Sequence, residues 1–172
     1  MAIRANLPLM GTNVLVTRSR TQAGVLTALL ERHGATVIEL PAIEISPVDS
    51  SQLDAAIAQL TSYEWIVFTS SNGVDAFVER LRAIGEGSAA RIGCRVAAIG
   101  KATAERLKES NVRVDLVPQR YIAESVVEEL VEADIVNRRV LLPQGERARD
   151  VIATRLRDAG ADVEVVVAYR TV

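Results

Sequence analysis

Three observations predict an α/β fold with a doubly wound, flavodoxin- or Rossmann-like parallel sheet. Short apolar runs alternate with amphipathic helical patterns. A polar turn joins each run to the helix that follows it, and a glycine or asparagine closes several of those helices before the next apolar run. The clearest case is Trp65-Ile66-Val67-Phe68-Thr69-Ser70-Ser71-Asn72-Gly73-Val74. Its first four residues suit a buried strand, and apolar residues at 74, 77, 78, 81 and 84 suit one helix face. The polar middle lies where strand gives way to helix, the edge of an open α/β sheet at which ligands bind.

Taken in order, Asn13-Val14-Leu15-Val16-Thr17 reads as a strand and Arg18-Ser19-Arg20 as a turn. A helix over 21–33 carries Val25, Leu26, Leu29 and Leu30 on one face, and Gly34 closes it in the left-handed position glycine favours. Thr36 to Leu40 is a second strand, ended by Pro41. Ala42-Ile43-Glu44-Ile45 alternates as a half-exposed extended connection, and Ser50 and Ser51 start a helix over 52–60. After the 65–84 strand and helix, Gly85-Glu86-Gly87-Ser88 makes a turn. Strands are then predicted over 95–99, 112–117, 140–142 (ended by Pro143) and 163–169. The helices between them run from Gly100-Lys101-Ala102-Thr103 through Leu107, from Ile122 to Val131, and from Gln144-Gly145-Glu146-Arg147 through Leu156 to a Gly160 cap. Strand–turn–helix–cap–strand repeats of this kind imply parallel strands with right-handed crossovers and helices on the sheet faces. The pair of strands before residue 41 cannot stand alone as a domain.

Composition narrows the function. With 172 residues and 49% apolar content the chain can bury a medium-sized core, and with 3% aromatics that core is aliphatic. A formal charge of -2 argues against nucleic acid as a partner. All but two of the 20 cationic residues, Lys101 and Lys108, are arginine. Arginine forks suit carboxylates and phosphates, although genome composition gives the same bias. Cys94 is the sole cysteine, which leaves no internal disulfide and no thiolate metal cluster. Residues 1–12 form a tail without the long apolar stretch of a signal peptide or membrane span, so a cytoplasmic protein is expected.

The strand-end turns bring candidate ligand contacts to one side of the sheet: Thr17, Arg18, Ser19 and Arg20; Thr69, Ser70, Ser71 and Asn72; Gly100, Lys101 and Thr103; and Gln144, Gly145, Glu146 and Arg147. Helix N-termini bind anions through backbone N–H groups, so the series suits a ligand with many carboxylates or phosphates. Taken singly, each loop is better explained by ordinary capping, with Ser71 and Thr103 as the caps. No P-loop occurs, and the glycines of the 85–90 stretch follow a helix, the wrong context for a dinucleotide. His33 is the one histidine, near a helix end, so neither a Ser–His–Asp system nor a metal centre can be assembled, and no cofactor is expected. Tyr169 ends the last apolar strand. A phenol keeps its proton at neutral pH and can give it to a leaving oxygen, and an aromatic at a strand end equally packs on a sheet.

The order and spacing of several short motifs resemble the uroporphyrinogen-III synthase family. They are Val14-Leu15-Val16-Thr17-Arg18, Leu40-Pro41-Ala42-Ile43-Glu44-Ile45, Phe68-Thr69-Ser70-Ser71-Asn72-Gly73-Val74, Ala98-Ile99-Gly100-Lys101-Ala102-Thr103-Ala104, Leu116-Val117-Pro118 leading to Ala123-Glu124-Ser125, Leu142-Pro143-Gln144-Gly145-Glu146-Arg147-Ala148-Arg149-Asp150 and Val167-Ala168-Tyr169-Arg170-Thr171-Val172. The resemblance implies two similar α/β domains, one inserted in the other. Residues 13–40 would open the first domain, 41–45 and 166–172 would form a two-stranded connector, and 46–165 would be the complete second domain. It also implies that the rest of the first domain follows Val172, leaving this chain weakly active or inactive alone and prone to self-association.

The implied reaction closes linear hydroxymethylbilane into uroporphyrinogen III, with loss of water and inversion of the last pyrrole. The resemblance makes Tyr169 the residue that assists water loss, without a cofactor. It places Arg18, Thr69, Ser70, Ser71, Asn72, Gly100, Lys101, Thr103, Gly145 and Arg147 around a linear tetrapyrrole. Hydroxymethylbilane synthase, which supplies that substrate, is the implied functional neighbour, with no nucleic acid or membrane partner. Two other readings use the same loops: a flavodoxin-like module binding a nucleotide or phosphometabolite, and a non-catalytic regulatory domain.

Overall fold

The computed structural model describes residues 7–85, 92–120 and 123–172, with backbone only at Arg20, Thr21, Ala123 and Glu124. The expected turn beyond Gly85, the start of the helix at Ile122 and the first six residues of the tail lie outside that set. The elements run β1 (Asn13–Val16), α1 (Arg20–Arg32), β2 (Thr36–Glu39), β3 (Ile45–Ser46), α2 (Ser51–Ala58), β4 (Trp65–Phe68), α3 (Ser71–Ala83), β5 (Arg95–Ala98), α4 (Lys101–Glu109), α5 (Ala123–Glu132), β6 (Arg139–Gly145), α6 (Val151–Asp158) and β7 (Asp162–Thr171). The architecture is mixed α/β with parallel sheets. Contacts divide the chain into one unit of 1–46 with 171–172 and a second of 47–170.

In the second unit, β4 is an interior strand, parallel to β5 on one side and to β6 on the other, and β6 pairs in parallel with β7. A parallel interior strand is covered on both faces and reads as a continuous apolar run. Trp65-Ile66-Val67-Phe68 is such a run, and all four residues are buried. Alternation then sorts the strand residues between two cores. Ile66 and Phe68 pack with Leu53 and Ile57 of α2, Phe77 and Leu81 of α3 and Leu107 of α4. Trp65 and Val67 pack with Val126 and Leu130 of α5 and Ala153 and Leu156 of α6. Phe68 meets Phe77 edge to face at 5.4 Å between ring centroids.

Two expectations for this unit are corrected. Pro143 does not end a strand: β6 continues through Gly145, with Pro143 opposite Val166 in the ladder. The predicted strand over 112–117 is reduced to one bridge, Ala97 to Leu116. There the backbone of Asp115 and Leu116 bonds Val96 and Ala98, but the Val96 N–H goes to the Asp115 carboxylate at 2.9 Å and Val112 turns inward, so the pairing does not extend into a ladder.

In the first unit, β1 and β2 pair in parallel with Leu15 opposite Ile38. Gly34, at φ +95°, closes α1 as expected. The apolar face of α1 is only partly covered: Leu26 and Leu30 are half-buried, Val25 is 78% and Leu29 43% exposed, and Ala23 is sealed inward. A two-stranded sheet is too narrow to cover the helix stripe. Glu44 and Val172 exchange both backbone hydrogen bonds, at 2.8 and 3.0 Å.

Candidate active site

Parallel pairing brings the carboxyl ends of β5, β4, β6 and β7 to one edge of the second unit. Three helix-leading loops and the last residues of β7 meet there. The β4–α3 and β5–α4 loops are side by side, since Phe68 pairs with Ala98 and the Ile99 N–H donates to the Phe68 carbonyl at 2.8 Å.

Ser70 is extended and caps α3: its Oγ accepts the Gly73 N–H at 3.1 Å. The cap is therefore Ser70 and not Ser71, which is the first helical residue and half-buried, as are Thr69 and Asn72. At α4 the cap is Gly100, and Thr103 sits inside the first turn, 4% exposed. Gly100 has φ +113°, a conformation open to glycine at little cost, and nothing lies where its Cβ would be. Lys101 is exposed on the same first turn.

Tyr169 is half-buried at the end of β7, and its hydroxyl is 3.0 Å from Ser70 Oγ. Gly145, expected in a turn, is instead the buried last residue of β6, directly beneath the Tyr169 ring. Beyond it the Glu146 N–H donates to the Tyr169 carbonyl at 2.9 Å. Arg170 holds the Glu146 carboxylate with two hydrogen bonds, 2.8 and 2.9 Å. That contact holds the Arg170 guanidinium above its ordinary range. Arg147 is exposed in the turn that follows, and Gln144, 6% exposed, donates to Asp150 Oδ1 at 3.2 Å. The structure thus brings Ser70 and Gly145 each against Tyr169, with the starts of α3 and α4 at the same sheet edge. Arg18 belongs to the first unit, exposed after β1.

The direct Ser70–Tyr169 contact and the place of Gly145 beneath the ring escape sequence reading, although each residue was a candidate. The available signal was Ser70 three residues before Gly73, a capping spacing that competes with Ser71 one residue later. In the first unit, Ser19, the Leu40–Ile45 segment and Val172 line a cavity of about 600 Å³. Among the described residues no three His, Cys, Asp or Glu side chains converge as metal ligands, and no helix is long and apolar enough to cross a membrane. Chemically, the edge offers a phenol hydroxyl backed by a serine, two helix starts, and exposed Lys101 and Arg147. These suit proton donation beside a polyanion.

A family model described as uroporphyrinogen-III synthase HemD matches residues 24–172. The chain is 36% identical over 169 residues to the uroporphyrinogen-III synthase of Synechococcus elongatus, covering 97% of this chain and 63% of that relative. It is 31% identical over 169 residues to the porphyrin biosynthesis protein HemD of Ruminiclostridium josui, covering 95% of this chain and 33% of the relative. It therefore spans less than two thirds of either length. Among solved structures, a mutant uroporphyrinogen III synthase from Thermus thermophilus superposes with a TM-score of 0.64 at 19% identity, covering 94% of this chain and 63% of that one. That likeness speaks for the shared fold. The family match and the Synechococcus and Ruminiclostridium identities speak for descent, and the chain belongs to the uroporphyrinogen-III synthase family.

Proposed function

We propose that this protein acts in tetrapyrrole biosynthesis as a uroporphyrinogen-III synthase, a lyase that cyclises hydroxymethylbilane to uroporphyrinogen III. The observation that carries the reading is the Tyr169 hydroxyl, 3.0 Å from Ser70 at the carboxyl edge of the sheet, in a chain of this family. In the proposed reaction Tyr169 gives its proton to the terminal hydroxyl of the bilane. The carbon–oxygen bond breaks with its electron pair leaving on water, and an azafulvene cation remains. The cation is attacked by the substituted carbon of the last pyrrole, and the ring closes through a spiro intermediate with that pyrrole inverted. A proton lost as the pyrrole regains aromaticity restores the phenol.

The substrate's carboxylates would lie against the starts of α3 and α4 and the side chains of Thr69, Ser71, Asn72, Lys101 and Arg147. Thr103 would contribute through its backbone N–H, because its hydroxyl is buried. Holding a reactive substrate folded and helping water leave are tasks that positioning and preorganised dipoles perform. The same reading takes the second unit as a doubly wound domain inserted in the first through a two-stranded connector. It also takes the protein as cytoplasmic, working beside the hydroxymethylbilane synthase that supplies its substrate.

Incubation with freshly made hydroxymethylbilane, followed by separation of product isomers, tests the reading. Isomer III above the uncatalysed background, or calorimetric binding of the bilane, is expected. Isomer I alone, from closure without inversion, together with no binding, overturns it.

A further inference from the structure

Strand β7 loses its alternation where Tyr169 is placed. Gln144 lies opposite Val167 but Gly145 lies opposite Tyr169, so Ala168 is the extra residue of a β-bulge. Successive side chains of an unbroken strand point to opposite faces. Here Ala168 is buried in the α2–α3–α4 core and Tyr169 packs against that same core. The bulge thus swings Tyr169 from the α5–α6 face to the face on which α3 begins. One glycine leaves the space the ring enters, and a second leaves room beside the Ser70 hydroxyl. Gly145 lies under the ring, and a Cβ on Gly73 would sit 3.3 Å from Ser70 Oγ and 3.2 Å from the Pro143 carbonyl. Neither glycine has a positive φ, so what each supplies is room.

We propose that Ser70 is a positioning residue for Tyr169, and that this serine, more than its neighbours, sets which way the phenol proton points. The inference rests on the proposed function for its chemistry and on the bulge and glycines for its geometry. Ser70 Oγ spends one lone pair on the Gly73 N–H, which polarises its own O–H. That O–H donates to Tyr169 Oη, leaving the phenol proton directed at the departing hydroxyl. When the proton transfers and the carbon–oxygen bond breaks, the phenolate left behind accepts the Ser70 hydrogen bond, a charge-assisted contact stronger than the one it replaces. The effect therefore appears in the transition state and not in ground-state binding.

Capping and donation are separable by substitution. Glycine caps within a few tenths of a kcal/mol of serine but has no hydroxyl; threonine keeps both functions; alanine keeps neither. Measured on hydroxymethylbilane with the full chain, Ser70→Gly should lower kcat roughly tenfold (about 1.4 kcal/mol) at nearly unchanged KM. Its unfolding midpoint should stay close to the parent's. Ser70→Thr should recover at least half of what Ser70→Ala loses. A Ser70→Gly enzyme with parental kcat would reduce Ser70 to a helix cap and overturn the proposal. Nuclear Overhauser contacts of the Tyr169 ring provide a readout independent of turnover. Contacts to Gly145 and to residue 70 should persist in Ser70→Thr and be lost or averaged in Ser70→Gly. Unchanged contacts to Gly145 in Ser70→Gly also overturn positioning. A parent with these contacts but no isomer III would count against the proposed function and leave the positioning standing.

Discussion

A Cβ added to Gly145 would lie 2.9 Å from Cζ of Tyr169, closer than real Cβ atoms approach another heavy atom. The ring is braced from below by a residue that has to lack a side chain, and from the side by Ser70. Gly145→Ala is therefore expected to displace the ring, at a cost of about 1–3 kcal/mol for overpacking. Loss of the Tyr169–Ser70 contact in the NMR spectrum, with turnover falling at least tenfold, is the expected outcome. Gly24→Ala is the control: this glycine lies inside α1 with nothing within 4 Å of its would-be Cβ. That change should stabilise the first unit by roughly 0.5–1 kcal/mol.

Phe77 anchors α3 to the sheet. It is fully buried and meets Phe68 at 79° between ring planes. Phe77→Ala should cost about 3–5 kcal/mol in urea unfolding of the second unit, from lost transfer energy and the cavity left behind. The same change should disturb the site, because Phe77 lies on the helix that Ser70 caps. Destabilisation below about 1 kcal/mol would mean that the α2–α3–α4 core repacks around the gap.

The fold was legible where one local signal dominated. Trp65 to Phe68 is apolar at every position, which a buried parallel strand requires, and Gly34 and Gly160 sit past helix ends where positive φ is needed. What the sequence hid depends on partners distant along the chain. Pro143 usually marks a strand end, yet β6 carries it beyond the last β4 pair, Ile66 with Leu141, while β7 continues alongside with Val166 opposite. The 112–117 stretch has strand-like composition, but the Asp115 carboxylate takes the hydrogen bond a neighbouring strand would have made. At the site, Tyr169, Ser70 and Gly145 were each visible as residue types at strand ends. Their mutual contact was not, because a bulge that adds Ala168 leaves no mark in the order of apolar residues.

Tyr63 and Cys94 should shape alkaline stability. The Tyr63 hydroxyl donates to Glu164 Oε2 at 2.7 Å, and Arg139 stacks over its ring at 4.5 Å while pairing with the same carboxylate at 2.9 Å. Burial first, then the Glu164 hydrogen bond, pushes Tyr63 up to about 12 from an ordinary value near 10. The folded state thus holds the proton after the unfolded state has lost it. Its contribution is fully present below pH 10 and falls away as pH rises towards 12, by roughly 1–3 kcal/mol. Burial likewise pushes Cys94 up to about 11, so its loss begins near pH 9. Denaturant titrations between pH 9 and 12 should show a shallower decline in Tyr63→Phe, and a decline that starts later in Cys94→Ala. Identical slopes for parent and variants would remove both assignments.

The first unit presents apolar surface on both of its layers. Leu15 and Ile38 are paired across β1 and β2 and each is 55% exposed, while Val25 on α1 is 78% exposed. Apolar side chains adjacent on a sheet gain about 25 cal/mol for each Å² they remove from water, and among the described residues the β1–β2 sheet gains no third strand, so its edges offer hydrogen bonds to a further one. A second copy of the chain carries the same surface, so we expect reversible self-association through this unit. Sedimentation analysis should show a weight-average mass that rises with concentration. Leu15→Glu combined with Ile38→Glu should abolish the rise, because like charges directly opposite on a sheet repel in the monomer and are costly to bury together in a dimer. The second unit keeps its own core in that variant, so unfolding of the Phe77 region should be unchanged. A parent chain that stays monomeric at all concentrations, or a double variant that still associates, rules this surface out.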